Sequence, residues 1–538
     1  MCALEVGGVQ TRTSAPSSLP ACLRSLWTNL LFPGDTAASG SWRWRTIAIL
    51  ILLPGALLYP CLSFRLFEPD EGRYAEIPRE MLLRGEWIVP HLLGEPYLDK
   101  PPLLYWLVMG SYRCFGVYDW SARLVPALAM HATILLTYVL GRRFLGDRAA
   151  FWAAVALCLA PGFVSIGRLL VMDGLLALWV TVAMFAAYEA VRGPRLRWSW
   201  WLLSATACGL GVLTKGPVIL ILVLPPVWLF RWLSGRNFLL RWPCIVSFAA
   251  VVAAVALPWY LLICWRMPSF AGYFLWEQNV VRFVAPFDHL RPVWFYLPIM
   301  LAGFLPASLL VVPFLRFLVS SNPDTAQRRS KELAMMLIAG GWCFFFFSMS
   351  GCKLPTYILP VFPPIALALG YFLTQSAWFG GRAFKSAAVG MALVVAFLHF
   401  VGIPAYARYH SPLGQPQETL LACRRPDLPL VCYPRNCDSV AFYLGREDVR
   451  SFRSTLTASL VDFLTQHPRT VVLFTHRHSL ETLRPSLPAE LRLTGEKALC
   501  IGDCWVNRLF AGIRRSMGET REELYHVAVA ERRLLPAR

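Results

Sequence analysis

Charged side chains are scarce in this chain, where aspartate, glutamate, lysine and arginine together make up 15% of 538 residues. Ordinary soluble domains carry about 25% charged residues, so the composition counts against a soluble protein. The sequence contains no glycine-rich phosphate loop, which disfavours a nucleotide-sugar site. It also lacks paired CxxC motifs and a repeat of fixed period, which disfavours a zinc site and a transporter built from paired repeats.

Long apolar runs take the place of the missing charge. Hydrophobic residues make up 57% of the chain, and its mean hydropathy is +0.51. The runs cover residues 46–64, 101–117, 123–141, 149–168, 174–191, 200–214, 217–233, 243–264, 293–315, 333–350, 357–374 and 386–405. Because helices of about 20 apolar residues cross a bilayer, we predict a polytopic α-helical membrane protein of about 11–13 spans.

The net charge of +19 follows the pattern of membrane orientation rather than that of a nucleic-acid surface. Basic residues recur in short loops between apolar runs, which is typical of cytoplasmic loops. These are Arg142, Arg143, Arg148, Arg192, Arg195, Arg197, Arg231, Arg236, Arg241, Arg328, Arg329, Lys331, Arg382 and Lys385. The residues 65–100, Asp173 and Lys215 then face the other side. The number of crossings between Lys100 and Arg142 has the wrong parity, so either one run, such as 101–117, does not cross fully or a break was missed.

Composition divides the chain into three predicted parts. Residues 1–45 form a cytoplasmic N-terminal extension, 46–406 form the membrane domain, and 407–538 form an extracytoplasmic α/β domain with a charged tail. In the third part, the sequence predicts strands at 430–433, 470–474 and 498–501, a helix at 457–466, and a helical or disordered end at 514–538. Its five cysteines, Cys423, Cys432, Cys437, Cys500 and Cys504, allow up to two disulfides in an oxidising compartment.

The densest cluster of charge follows the first apolar run, between residues 67 and 105. Apolar and charged residues alternate with helical period around 77–88, which predicts interfacial helices in the first outer loop. At its start, Asp70 can accept a proton from a hydroxyl group, or remain a solvated loop carboxylate. Glu71 can share that role or pair structurally with Arg73. We therefore predict an active site at this membrane surface.

Four basic residues on the same predicted face are candidate phosphate-binding residues. Lys100 lies at the mouth of the second apolar run, where a cation meets a lipid headgroup phosphate, although snorkelling lysines are common there. Lys215 precedes a Gly-Pro helix interruption. Arg282 and Lys353 lie in outer loops. Asp173, between two apolar runs, is a candidate catalytic carboxylate, with a helix cap or a pair with Arg168 as its structural alternative.

Several motifs give the chain a family resemblance over roughly residues 45–405. They are DEGRYAE at 70–76, YLDKPPLLYW at 97–106, Asp173, TKGP at 214–217, Glu277 with Arg282-Phe283, and KLPTYILP at 353–360. With these motifs the chain resembles the aminoarabinose (lipid A) transferases, which are related to protein O-mannosyltransferases and share the GT-C membrane fold. The resemblance implies catalytic roles for Asp70, Glu71 and Asp173, and substrate binding by Tyr74 and Tyr357.

The same resemblance bears on a metal. It implies that the acidic residue before Lys100, here Asp99, can help bind a divalent metal, a position that is typically Glu in the family. A second metal-binding residue of the family, a histidine, is replaced by Asn279. This departure weakens the case for a metal and for aminoarabinose as the sugar, so no cofactor is certain and a divalent metal stays open.

These expectations combine into one functional hypothesis. The chain is expected to transfer a sugar, with inversion, from a polyprenyl-phosphate donor to a lipid, glycan or protein acceptor on the outer face of the cytoplasmic (inner) membrane. The alternatives are aminoarabinose transfer to lipid A, protein O-mannosylation, a transporter or flippase of lipid-linked sugars, and a non-catalytic scaffold. Membrane lipids are expected partners, and nucleic acid is not.

Overall fold

A computed structural model describes residues 40–235, 242–284, 289–376, 382–410, 423–425, 427–467, 469–474, 477–498 and 526–532. Residues 1–39 of the predicted N-terminal extension lie outside this part, as do Cys500, Cys504 and the predicted strand residues 499–501. The helices are α1 Gly40–Leu58, α2 Asp70–Arg84, α3 Leu103–Phe115, α4 Asp119–Leu145, α5 Asp147–Leu159, α6 Pro161–Gly167, α7 Met172–Val191, α8 Trp198–Lys215, α9 Val218–Leu233, α10 Trp242–Arg266, α11 Arg282–Val284, α12 Tyr296–Gly303, α13 Val311–Val319, α14 Pro323–Gln327, α15 Lys331–Met349, α16 Phe362–Gln375, α17 Arg382–Phe397, α18 Ile403–His410, α19 Asp438–Leu444, α20 Thr457–Gln466 and α21 Arg477–Leu483.

Apolar helices dominate residues 40–410, as the hydropathy predicts. Among the described residues, six helices are long and apolar enough to cross a membrane, or up to eight when two bent pairs each count as one span. One pair, α5 with α6, bends by 62° at Pro161, and the helices of 293–319 bend by 107°. The chain is therefore a polytopic membrane protein, while the number of 11–13 spans stays a prediction.

Helix α3 explains the parity conflict in the predicted topology. It contains 13 residues, which span only about 20 Å at 1.5 Å per residue. A hydrocarbon layer of about 30 Å is thicker than that. The apolar run 101–117 is thus too short a helix to cross fully, which is one of the two explanations that the sequence left open.

The segment between α1 and α3 contains one helix and a small hairpin, rather than several interfacial helices. Helix α2 begins with two acidic residues, ends with Arg84, and is closed by Gly85 in the left-handed conformation (φ 63°). Strands β1 His91–Leu92 and β2 Glu95–Pro96 follow as an antiparallel pair. The Glu80 carboxylate accepts hydrogen bonds from the backbone N–H groups of Leu93 (2.5 Å) and Gly94 (3.1 Å), so α2 holds the hairpin turn.

The C-terminal region contains a five-stranded mixed sheet, in agreement with the predicted α/β class. Its strands are β3 Leu430–Tyr433, β4 Arg450–Ser451, β5 Thr470–Phe474, β6 Leu491–Ala498 and β7 His526–Arg532, in the order β4-β3-β5-β7-β6. Strands β4, β3 and β5 are parallel, whereas β7 is antiparallel to β5 and β6. The sequence predicted a helical or disordered end over residues 514–538. This prediction is wrong for residues 526–532, which form β7 between β5 and β6 in the interior of the sheet.

The sheet is covered by apolar side chains on both faces, which form two buried clusters. The cysteines Cys423, Cys432 and Cys437 are free thiols packed into the first of these clusters. None of the predicted disulfides joins these three described residues. A third buried cluster joins α2, α3 and the start of α7 to Phe442 of α19, so the sheet region packs directly against α2 and α3.

Candidate active site

Three of the predicted phosphate-binding cations line one cavity of about 380 Å³. Lys100 lies just before α3, Lys215 is the last residue of α8, and Arg282 follows the π-helix Gly272–Val281. Tyr357 lines the same cavity from the 3₁₀ segment Pro355–Val361. The structure therefore brings together residues that lie far apart in the sequence and creates a basic pocket among apolar helices.

The position of Lys215 depends on the glycine that follows it. Gly216 has φ +88° and ends α8, and a Cβ atom there would lie 2.9 Å from Phe274 Cζ and 3.2 Å from Asn279 Oδ1. Only glycine tolerates both the backbone conformation and the close approach. The helix end is thereby pressed against the π-helix, which places Lys215 beside the segment that contains Arg282.

The electrostatics of the pocket favour an anion. Lys100 is half-buried, and its removal from water lowers the pKa of its ammonium group to about 8, with the nearby cations Arg282 and Lys215 contributing in the same direction. The carboxylates Asp99 and Asp173 oppose this shift without cancelling it. A bound phosphate would supply the missing negative charge, so the site is chemically suited to a phosphate group.

Asp173 connects the basic pocket to its neighbours. It lies in the first turn of α7, is buried, and forms an ion pair with Lys215. Its second oxygen accepts a hydrogen bond from Thr356 Oγ1 at 2.8 Å. Lys215 Nζ lies 3.7 Å from the centre of the Tyr357 ring, a cation–π distance. Asp173, Lys215 and Tyr357 therefore form one contact network, while the predicted alternative pair with Arg168 is not formed.

Asp70 and Tyr74 lie on the first turns of α2. The Asp70 side chain is 44% exposed, and its Oδ1 is 3.9 Å from Arg73 Nη1. Tyr74 is buried, and burial together with the charge of Asp70 raises the pKa of its phenol well above the usual range. Tyr357 also contributes to that shift. Tyr74 therefore feels the charge of Asp70, but neither of these two residues lines the basic pocket.

Glu71 differs from its neighbour Asp70. It is buried and forms a two-point ion pair with Arg123, with distances of 2.8 and 2.7 Å. It also accepts hydrogen bonds from the backbone N–H groups of Phe67 (3.0 Å) and Leu170 (2.7 Å). These contacts occupy the carboxylate, and they favour the structural alternative for Glu71 over the catalytic one. The sequence had suggested Arg73 as its structural partner, but the structure shows Arg123 in that place.

Lys353 also has a different environment from the one expected. It is buried and does not line the basic cavity. Its ammonium group donates to the carbonyl oxygens of Arg291 (3.0 Å) and Ser350. These contacts favour a structural role for Lys353, which links the segments of Arg291 and Ser350, over phosphate binding.

Asp99 and Asn279, the two positions on which the open question of a divalent metal depends, both have hydrogen-bond partners within the protein. Asp99 Oδ1 accepts a hydrogen bond from the Tyr273 hydroxyl at 2.5 Å, and Asn279, which replaces the histidine of the family pattern, donates to the Phe274 carbonyl at 2.7 Å. Over the part of the chain that the structure describes, no three His, Cys, Asp or Glu residues are grouped as ligands for a metal ion. The donor set is thus one carboxylate and amides, which does not match a dedicated site.

Asp99 instead begins a hydrogen-bond chain to the basic pocket. Gln278 Nε2 donates to the Tyr273 hydroxyl (2.9 Å), and Arg282 Nη1 donates to Gln278 Oε1 (3.2 Å). Sequence reasoning missed Tyr273 and Gln278. Their only signal was their place in the segment just before Arg282, because the π-helix that aligns them has no distinctive sequence pattern.

A second cavity, about 760 Å³ in volume, lies next to the basic pocket. Helices α8, α9 and α10 line it almost entirely with apolar side chains, among them Trp201, Leu224, Phe248 and Val252. Pro217 and Leu275 line both cavities. The basic pocket therefore adjoins an apolar groove, an arrangement suited to an amphiphile with an anionic head and a hydrocarbon tail.

Comparison with known proteins identifies the family of the chain. Residues 42–274 match the family model described as dolichyl-phosphate-mannose-protein mannosyltransferase. The undecaprenyl phosphate-alpha-4-amino-4-deoxy-L-arabinose arabinosyl transferase of Erwinia tasmaniensis is 33% identical over 384 residues, covering 68% of this chain and 67% of the relative. The chain belongs to this transferase family. Arabinosyl transferase 1 of Pseudomonas fluorescens, another member, is 36% identical over 352 residues, covering 63% and 59%.

The chain aligns with about 60% of the length of the first curated members of the family that it matches. Solved structures extend the similarity of the fold further. ArnT from Cupriavidus metallidurans, bound to undecaprenyl phosphate, has a TM-score of 0.67 at 21% identity and covers 92% of this chain and 98% of its own. The oligosaccharyltransferase AglB from Archaeoglobus fulgidus has a TM-score of 0.54 at 15% identity, covering 81% and 70%. The fold is thus that of the GT-C membrane glycosyltransferases.

Proposed function

We propose that this chain transfers a sugar from a polyprenyl-phosphate donor to an acceptor at the extracytoplasmic face of the cytoplasmic membrane. The observation that carries the proposal is the junction of the basic pocket, with Lys100, Lys215 and Arg282, and the apolar groove. The donor phosphate binds the three cations, and its isoprenoid tail lies in the groove. The family's curated members are transferases of undecaprenyl-phosphate aminoarabinose, which makes this donor the first to test.

The reaction needs one proton acceptor and one stabilised leaving group. The acceptor hydroxyl attacks the anomeric carbon of the sugar from the face opposite the phosphate, which inverts the configuration. The carbon–oxygen bond to the phosphate breaks, and the phosphate keeps the bonding electrons. The proton of the hydroxyl passes to Asp70, which is partly exposed to the acceptor side. An acceptor that is already an anion, such as a phosphate, is oriented by Asp70 instead.

The rest of the site supplies charge and position. Lys100 and Arg282 stabilise the negative charge that grows on the phosphate, an interaction that strengthens in the transition state. Lys215 is held by Asp173, so Asp173 acts by orienting a cation at the pocket. Tyr357, which lines the basic pocket, is the first aromatic candidate for contact with the sugar ring, and Tyr74 of α2 is the second.

A transporter or flippase is the remaining alternative from another class. Its substrate site would be expected near the middle of the membrane spans. Here Lys215 ends α8, Asp173 begins α7 and Lys100 precedes α3, so the charges lie at helix ends. This placement supports transfer at a membrane surface.

The test is a transfer assay with the full chain in lipid nanodiscs. Undecaprenyl-phosphate aminoarabinose is the donor, lipid A is the acceptor, and mass spectrometry identifies the product. We expect transfer by the wild type, loss of at least about 100-fold in kcat for Asp70→Asn, and wild-type turnover for the control Asp324→Asn, an exposed residue in α14. Movement of the donor across the bilayer without transfer would replace this proposal with the flippase.

A further inference from the structure

The C-terminal sheet region is seated on the first turn of α2, at the candidate active site. Ser439 of α19 donates its backbone N–H to Glu68 Oε1 at 2.7 Å. A Cβ atom on Gly72 would lie 2.5 Å from the Ser439 backbone nitrogen, so the two elements meet at a distance that only glycine permits. Tyr443 of α19 accepts the backbone N–H of Leu66 at 2.9 Å. The contact is thus close and formed at several points.

One arginine of this contact lies between two carboxylates. Arg73 Nε is 3.4 Å from Asp438 Oδ2, and Arg73 Nη1 is 3.9 Å from Asp70 Oδ1. Asp438 comes from the C-terminal region, whereas Asp70 is the proposed proton acceptor. Asp438 is completely buried, and neither of its side-chain oxygens has a hydrogen bond within the described residues. Its charge is therefore balanced chiefly by Arg73.

The cluster contains more acidic than basic groups. The charged and titratable groups that act on Asp438, on Arg73 or on their neighbours are Asp70, Arg73, Tyr74, Glu76 and Arg79 of α2, Glu68 before α2, Tyr97 after β2, and Cys437 and Arg453 of the C-terminal region. Burial raises the pKa values of both Asp438 and Glu68, and Arg73 opposes the shift of Asp438. Because Arg73 is the nearest cation to Asp438 and Asp70 alike, the two carboxylates compete for it.

We propose that Asp438 is a positioning residue for the transfer reaction, which holds Arg73 away from full contact with Asp70. Without the buried carboxylate, the guanidinium would close on Asp70 and form a two-point pair, since this is the preferred geometry of arginine with a carboxylate. A fully paired Asp70 is a poorer proton acceptor and is less available to the acceptor substrate. The C-terminal region thus acts on the chemistry through Arg73. This inference rests on the proposed role of Asp70.

The experiment compares Asp438→Asn with Asp462→Asn, an exposed aspartate on α20 of the same region. Steady-state transfer is measured as a function of pH, with kcat and the KM for the donor determined separately. We expect Asp438→Asn to lower kcat by about tenfold or more without a change in the donor KM. We also expect the acidic limb of its pH profile to move to lower pH, because removal of one negative charge makes the remaining carboxylates easier to ionise. Asp462→Asn should match the wild type.

A double-mutant cycle separates this role from simple support of the fold. If Asp438 acts through Arg73, Asp438→Asn should add no further loss of kcat in an Arg73→Gln background. The inference would be overturned if the losses of the two substitutions were additive. It would also be overturned if folded Asp438→Asn had the kcat and the pH profile of the wild type. Should Asp438→Asn fold poorly, the pH profile of Arg73→Gln is measured instead. Its acidic limb should move to higher pH, because the loss of a nearby cation makes the carboxylates harder to ionise. An acidic limb that does not move would overturn the inference. Absence of transfer in the wild type with its donor would instead count against the proposed function.

Discussion

Glu71 and Arg123 form a buried two-point ion pair, with Arg123 Nε 2.8 Å from Glu71 Oε1 and Nη2 2.7 Å from Oε2. Arg123 also donates to the backbone carbonyls of Leu62 (2.8 Å) and Phe64 (2.5 Å). The pair therefore joins α4 to the segment between α1 and α2. Asp70, one residue earlier, is 44% exposed and free to meet a substrate. Two consecutive carboxylates thus serve different purposes, one in the fold and one in the proposed chemistry.

Glu71→Gln should destabilise the protein by about 3–5 kcal/mol, because it leaves the buried guanidinium of Arg123 without a counter-charge. The measurement is thermal unfolding in detergent, followed by the tryptophan fluorescence of the purified chain. Asp70→Asn is the matched control and should melt close to the wild type. A Glu71→Gln protein with wild-type stability and no turnover would return Glu71 to a catalytic role.

Donor binding should weaken as the pH rises through about 8, the pKa to which burial and the neighbouring cations bring Lys100. Below this pH the ammonium form binds phosphate. Above it the neutral form predominates in the free protein, and the affinity for undecaprenyl phosphate should fall by up to about tenfold per pH unit. Titration of binding between pH 6.5 and 9.5 by calorimetry measures the effect.

Lys100→Arg is the control for that titration, since a guanidinium stays charged throughout the range. Its affinity should be independent of pH above 8. A wild-type affinity that is equally flat would show that Lys100 does not titrate on donor binding.

Arg282→Ala should raise the donor KM, because it removes a cation from the basic pocket. A charge-assisted hydrogen bond contributes about 1.5–3 kcal/mol, so we expect an increase of about 10-fold to 100-fold. Lys353→Met is its counterpart, since Lys353 donates to backbone carbonyls outside the cavity. It should lower the melting temperature and leave the donor KM of the folded fraction unchanged. A Lys353→Met protein with a wild-type melting temperature and a raised donor KM would support the original assignment of Lys353 to the phosphate.

Tyr273→Phe should raise the donor KM by about tenfold, since it breaks the hydrogen-bond chain that runs from Asp99 to Arg282. Because the Asp99 carboxylate is engaged by Tyr273, turnover of the wild type should also persist in EDTA. The transfer assay measures both quantities. Loss of activity in EDTA that added Zn²⁺ or Mg²⁺ restores would show that a metal displaces the Tyr273 contact.

The local signals in the sequence predicted the membrane helices, while the roles of the site residues that they indicated stay predictions. Lys100, Lys215 and Arg282 were recognised separately, from motifs and from their places at the ends of apolar runs, and the structure places them around one cavity. Glu71 and Lys353 carried the same kind of signal and have other surroundings. In the sequence, a charged residue that binds a substrate cannot be told from one that pairs with a buried residue such as Arg123.

Hydropathy and loop charge by themselves determined that this protein is a bundle of membrane helices with its acidic and basic motifs at helix ends, because burial in lipid constrains each segment independently. Only the tertiary structure decided which charges are satisfied within the protein and which face a cavity. It also decided that Asp438, a residue without any motif, lies against Arg73 beside the proposed proton acceptor. Such contacts depend on the packing of distant elements, and no local pattern encodes the distance between two side chains.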